Sequence, residues 1–174
     1  MLSFALRSIS TETCPLSRFS HALARTLTRF AEVKNAVWGG LMTAGAQRRG
    51  AVGVVISGRC RDLAEHRNAN FPVFARGHST LGQSPFTRPS AMNVPVTIEP
   101  PGVSKEAEGA FAPATVNPDD IIVADEDGVV FITPNMVEDV LKLAEKGRDV
   151  DARCMADIKA GTGVQEAFKR HRGK

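Results

Sequence analysis

Two short stretches of this chain bring together residue types that can do chemistry on a small acid. Gly58-Arg59-Cys60-Arg61-Asp62 directly follows a run of mostly β-branched residues, Val52 to Ile56. In open α/β sheets, ligands collect beyond the carboxyl ends of the strands. At such a place an arginine offers a planar fork for a carboxylate, and an aspartate beside it offers a hard oxygen donor for a divalent cation. Gly39-Gly40-Leu41-Met42 stands at an expected helix start, where backbone N–H groups and the helix dipole favour an anion. A plainer reading has Asp62 capping its own helix and Arg61 on the surface. On spacing alone, that plainer reading is the simpler of the two.

Other chemistries are set aside by spacing. His21, His66, His78 and His171 form no HExxH or other ligand pattern, and no GxSxG, P-loop lysine or GxGxxG motif occurs. Asp125-Glu126-Asp127-Gly128 lacks the ligand spacing of a calcium loop and reads as a charged turn. Cys14, Cys60 and Cys154 are odd in number and far apart, with no CxxC pair. Reduced thiols in an intracellular compartment follow more simply than a disulfide framework or a thiolate zinc site.

The elements that would position these residues can be read from periodicity. Gly39 to Arg49 reads as a helix with a glycine-rich start, stopped by Gly50. Val52 to Ile56 is a strand buried on both faces, ending at Ser57-Gly58. Asp62 to Asn68 is a short helix, and Pro72 to Ala75 a second strand. This order argues for a parallel α/β core. Gly77 to Ser90 is a long polar loop, Asn93–Ile98 a strand, and Glu99–Thr115 an insertion. Asp120–Ala124 and Gly128–Ile132 form a hairpin. Pro134 begins a helix, with Thr133 as N-cap and Val137, Val140, Leu141 and Ala144 on one face, which Lys146-Gly147 ends. Asp151–Ala160 is a further helix, and a basic tail follows from Gly161.

Composition fits a folded soluble protein of 174 residues, 43% hydrophobic and 24% charged. The longest apolar runs fall far short of the ~20 residues a membrane-spanning helix needs, so no membrane is expected as a partner. The net charge of +3 is unevenly placed. Residues 1–35 carry +3 and residues 167–174 carry +4, which leaves −4 on the middle. Basic ends on an acidic body argue for solvated tails and against a nucleic-acid partner. His21–Asn35 has the spacing of an amphipathic helix, with Leu23, Leu27 and Phe30 on one face. The Arg- and Ser-rich start suits a mitochondrial presequence, an ordinary surface helix or a wrongly drawn chain start alike. A cytoplasmic location is the simpler expectation, a mitochondrial one the alternative.

Four segments in one order and spacing carry a resemblance: Val52–Asp62 (VGVVISGRCRD), Phe71–Gly77 (FPVFARG), Asn93–Thr97 (NVPVT) and Ile121–Val130 (IIVADEDGVV). Together they resemble the family of the regulator of ribonuclease E activity A and the 4-hydroxy-4-methyl-2-oxoglutarate aldolases, from about Val37 to Gly147. The resemblance implies an α/β fold: a swivelling β/β/α domain with a mixed central sheet, plus C-terminal helices. Residues 1–35 then form a divergent basic segment, 36–147 the family domain, and 148–174 a C-terminal helix and basic tail. It also implies a homotrimer or higher oligomer. In the enzyme branch it implies a lyase dependent on Mg²⁺ or Mn²⁺, which cleaves 4-hydroxy-4-methyl-2-oxoglutarate to pyruvate and decarboxylates oxaloacetate.

Carried over residue by residue, the resemblance makes Arg61 the arginine that holds the carboxylate of a small 2-oxo acid. Asp62 becomes the metal ligand, and Gly39, Gly40, Leu41 and Met42 the loop whose amides hold the pyruvyl group. A metal on the pyruvyl oxygens would act as a Lewis acid. There are two departures. Gly40 stands where many members have an acidic residue that helps hold metal-bound water, and residues 1–35 do not resemble the family's helix-and-strand segment. These departures motivate the alternatives: a non-catalytic, protein-binding regulator of the same fold, or an inactive truncated paralogue.

Overall fold

The computed structural model of the chain describes residues 5–7, 33–84, 91–98 and 112–173. It divides into two compact units, residues 1–133 and 134–174. Among the described residues, the first unit holds eight strands and two helices in chain order: β1 Ala5–Arg7, β2 Ala36–Trp38, α1 Gly40–Arg48, β3 Val54–Cys60, α2 Leu63–Asn68, β4 Val73–His78, β5 Val96–Ile98, β6 Ala114–Val116, β7 Ile121–Ala124 and β8 Val129–Ile132. Strands β2-β3-β4 form an all-parallel sheet, and β1-β7-β8 a mixed one, with β1 parallel and β8 antiparallel to β7. Strands β5 and β6 pair antiparallel. The fold is a mixed α/β architecture with C-terminal helices, as expected.

Strand β3 is central, and its two faces go to different cores. Val54 and Ile56 join Val37, Trp38, Ala46, Cys60 and Phe71 in one cluster, against which Met42 packs. Val52 and Val55 pack against Val116 and Ile122 in the other. Burial on both faces explains the unbroken apolar run, where a half-exposed strand would alternate. The strand does not stop at Ser57-Gly58 but continues to Cys60. Registers with both neighbours shift near these residues, between Ile56 and Arg59 on the β4 side. That irregularity absorbs the glycine without ending the strand. The consequence for the site is direct: Arg61 and Asp62, not Gly58, are the first residues beyond the strand's carboxyl end.

Helix α1 ends as the sequence predicts, with Gly50 at φ +80°. The hairpin around Asp125–Gly128 is present, and Asp125 Oδ1 accepts from the Asp127 and Gly128 amides. Residues 21–32 of the expected N-terminal helix, 85–90 of the loop and 99–111 of the insertion lie outside the described residues.

The second unit differs from expectation. After a 3-10 turn at Pro134–Met136, helix α3 runs without interruption from Val137 to Lys159, so Lys146-Gly147 does not end it and no separate helix begins at Asp151. Met136, not Thr133, occupies the N-cap position of α3. Gly147 keeps a helical backbone, and an interior glycine costs a helix only about 1 kcal/mol. Nor is the segment after Gly161 a tail: Val164–Arg172 forms α4. Its buried Ala167 meets the buried Cys154 of α3, whose Sγ lies 3.8 Å from the Ala167 carbonyl. Arg170 bonds Asp157 and Glu166, and Arg172 bonds Asp151 while stacking on Phe168. No helix among the described residues is long and apolar enough to cross a membrane.

Candidate functional site

The expected residues converge where β2 meets α1 and β3 meets α2. Gly39 is the N-cap of α1 with an extended backbone, and no side chain caps that helix. The Gly40 amide donates instead across 22 residues to Asp62 Oδ2, at 2.9 Å. Asp62 does not cap its own helix α2 with its side chain. The plainer sequence reading fails in its capping half, because Asp62 occupies the N-cap position but spends its carboxylate on the neighbouring helix, and holds in its other half, because Arg61 is exposed. Its backbone is left-handed, at φ +60° and ψ +43°. A non-glycine residue held there costs on the order of 1–3 kcal/mol, a cost commonly seen at functional sites.

Arg61 lies beside it, with Nε 3.5 Å from Asp62 Oδ2, and both side chains are partly exposed (44% and 35%). Arg61 is fixed at its root by its own amide, which donates to the Trp38 carbonyl at 2.9 Å. Gly39 makes this closeness possible. A Cβ there would lie 2.5 Å from Asp62 Oδ2 and 2.7 Å from Arg61 Nε, closer than atoms tolerate.

The first-turn amides are not equally available. Gly40's goes to Asp62, and Met42's goes to the Gly39 carbonyl at 3.0 Å. Met42's side chain packs against the core, whereas Leu41 is 86% exposed. The Leu41 amide is the one of these three with no recorded partner among the described residues.

One residue that sequence reasoning missed belongs here. The carboxylate of Glu65, in the first turn of α2, occupies the space that a side chain on Gly40 would fill. Asp62 and Glu65 thus both lie against Gly40, one touching its amide and the other its α-carbon face. The available signal is the three-residue step from Asp62 to Glu65, which sets both at one end of a helix.

Behind the carboxylates, a buried chain ties the three segments together. Trp38 Nε1 donates to Thr43 Oγ1 at 2.9 Å, and Thr43 Oγ1 lies 3.0 Å from His66 Nδ1. Indole N–H can only donate, so Thr43 Oγ1 accepts from Trp38, and the direction of its bond to His66 Nδ1 is set by the imidazole tautomer. Cys60, at the end of β3, is a buried thiol 3.7 Å from the Gly77 carbonyl. Burial raises its pKa, a hydrogen bond from its own backbone lowers it in part, and the nearby Asp62 charge adds to the rise. That suits packing, not nucleophilic chemistry.

Among the described residues, no three His, Cys, Asp or Glu side chains converge as a cage for a metal ion. A hard divalent cation does not need one, because Mg²⁺ keeps several waters and takes one or two carboxylates. Two carboxylates against one glycine, beside a guanidinium, fit that requirement.

Residues 28–131 match the RraA-like family, described as Aldolase/RraA. The chain belongs to this family. It is 34% identical over 119 residues to a Halalkalibacterium halodurans protein provisionally named 4-hydroxy-4-methyl-2-oxoglutarate aldolase, covering 68% of this chain and 50% of that one. It is 30% identical over 131 residues to protein DlpA of Legionella pneumophila, covering 75% of this chain but 19% of the relative. It thus spans about half or less of the length of these curated relatives. A crystal structure of a Pseudomonas syringae protein of unknown function superimposes with a TM-score of 0.68 at 26% identity, over 83% of this chain and 66% of that one. The structure of Streptomyces coelicolor RraAS2, from the RNase ES inhibitor RraA family, shares the fold at TM-score 0.56 and 21% identity, over 80% of this chain and 62% of that one.

Proposed function

We propose that this chain is a divalent-metal-dependent carbon–carbon lyase of small 2-oxo acids, cleaving 4-hydroxy-4-methyl-2-oxoglutarate to pyruvate or decarboxylating oxaloacetate. The observation that carries the reading is the convergence of Asp62, Glu65 and Arg61 on the glycine pair at the start of α1. Asp62 and Glu65 would hold Mg²⁺ or Mn²⁺ and its waters. Glu65 thereby supplies, from α2, the carboxylate that Gly40 lacks. The Arg61 fork grips the substrate carboxylate with charge-assisted bonds. The free Leu41 amide, at the positive end of the helix, adds a donor for the pyruvyl group. A bound cation supplies stabilisation of the negative charge left on the pyruvyl oxygen when the C–C bond breaks.

The test is pyruvate release from oxaloacetate with added Mg²⁺, in the full chain and in Asp62→Asn. The expected result is release above the metal-only background, reduced about 100-fold or more in the variant. Release no faster than that background overturns the reading.

A second reading, protein binding by a non-catalytic regulator of this fold, is favoured by one observation: Leu41, beside the carboxylates, is 86% exposed. It predicts a folded chain without turnover, whose partner binding survives Arg61→Ala. Under either reading we propose a homotrimer, which light scattering on the purified chain checks.

A further inference from the structure

Three glycines border the charged cluster, and the third is not explained by the amides or carboxylates. Gly82 lies in the segment after β4. A Cβ built on it would sit 3.1 Å from Arg61 Nη1 and 3.9 Å from Arg61 Cζ, with no other heavy atom within 4 Å. Its backbone is not in the left-handed region that calls for glycine. The guanidinium is therefore the neighbour that a side chain at position 82 would disturb.

The segment is not free to swing away. The Leu81 carbonyl accepts from the Ala36 amide at 2.7 Å, and the Ser79 amide donates to the Cys60 carbonyl at 2.9 Å. Ser79 Oγ accepts from the Leu81 amide at 3.1 Å. Ala36 and Cys60 belong to β2 and β3, the strands that lead into Gly39 and Arg61. The Arg61 side chain thus runs between two glycines, with Nε against Gly39 and Nη1 against Gly82, both held by the same pair of strands.

We propose that Gly82 is a positioning residue for Arg61: it walls the far side of the guanidinium and fixes the direction in which the fork meets a substrate carboxylate. The inference rests on the reading of Arg61 as the carboxylate-binding group. Long side chains such as arginine lose rotamer freedom when they engage a ligand, and a fork already held between two walls loses less. The held geometry should appear in ground-state binding, before any bond breaks, and so in KM more than in kcat.

The experiment compares the full-length wild type with Gly82→Ala and Gly82→Val, at saturating Mg²⁺. Oxaloacetate is the substrate, and pyruvate is the competing ligand. Gly82→Val should raise the KM for oxaloacetate and the inhibition constant of pyruvate together, by about tenfold, with kcat changed less than about threefold. Gly82→Ala, which asks the guanidinium to yield only a few tenths of an ångström, should give a smaller shift in the same direction. The Mg²⁺ concentration for half-maximal rate and the melting temperature should stay at wild-type values. In an Arg61→Lys background, the Gly82→Val penalty should shrink below about twofold, because an ammonium has no fork to direct.

An active wild type whose KM and pyruvate inhibition are unchanged by Gly82→Val overturns this inference and leaves the proposed function standing. A KM rise that persists undiminished in Arg61→Lys, or that comes with equal losses in Mg²⁺ response and melting temperature, also overturns it. A wild type that neither releases nor binds pyruvate overturns the function and this inference with it, before any variant is made.

Discussion

Gly40 is defined by what stands in its missing side chain's place. The Glu65 carboxylate occupies that space, and the Gly40 amide is spent on Asp62. A methyl group at position 40 must therefore displace Glu65, while alanine is a better helix former than glycine. Gly40→Ala should leave the melting temperature equal or higher, yet weaken the Mg²⁺ response by about 10–100-fold. Glu65→Gln should do the same, and the double variant should be no worse than either single one, because both remove one interaction. Metal titration of pyruvate release checks this, and additive losses would show that the two residues act separately. Arg61 and Asp62 were legible in the sequence because they are consecutive and follow an apolar run. Glu65 was not, because its role depends on a contact 25 positions away and on an absent side chain. Nor could spacing show that Asp62 turns from its own helix towards α1, since that follows from its left-handed backbone.

Elements were legible where one periodicity and one pair of breakers defined them, and less so where glycine stood for a breaker. Helix α1 with its Gly50 stop, the β-branched core of β3 and the β7–β8 hairpin follow from local pattern. Strand β3 is longer than its β-branched run because pairing on both sides carries Ser57 and Gly58 along. Helix α3 is a similar case. Gly147 predicts an end, but the flanking residues are good helix formers, and the helix passes through it. A Cβ at Gly147 would meet nothing within 4 Å. Gly147→Ala should therefore stabilise the protein by about 0.5–1 kcal/mol through backbone entropy and propensity. Urea denaturation followed by helical circular dichroism measures it. A destabilised variant would mean that the helix bends or is approached at this position.

Across the whole molecule, the basic C-terminal end is not a solvated tail, because its arginines are set against acids of α3. Asp157 is the hub, accepting from Arg170 Nη1 at 2.7 Å and lying 2.9 Å from His171 Nε2. The hydrogen bond from His171 is the main reason its pKa lies below the usual carboxylate value, with Arg170's charge and hydrogen bond assisting against a smaller desolvation effect. The sign of the linkage follows. A carboxylate whose folded pKa is depressed binds its proton more readily when unfolded, so its contribution is present above the ordinary carboxylate range and fades as pH falls through the folded value. The stability difference between wild type and Asp157→Asn should thus be full at pH 7 and shrink from about pH 4 downward. Comparing the two chains at each pH removes the background from other carboxylates. Because Arg170 is exposed and Asp157 partly so, 1 M salt, with a Debye length of about 3 Å, should narrow the same difference at pH 7. A gap constant from pH 7 to pH 3 would show that Asp157 acts through shape and not through charge. The C-terminal helices would then owe their association to the buried Cys154–Ala167 contact and to the separate Arg172–Asp151 pair.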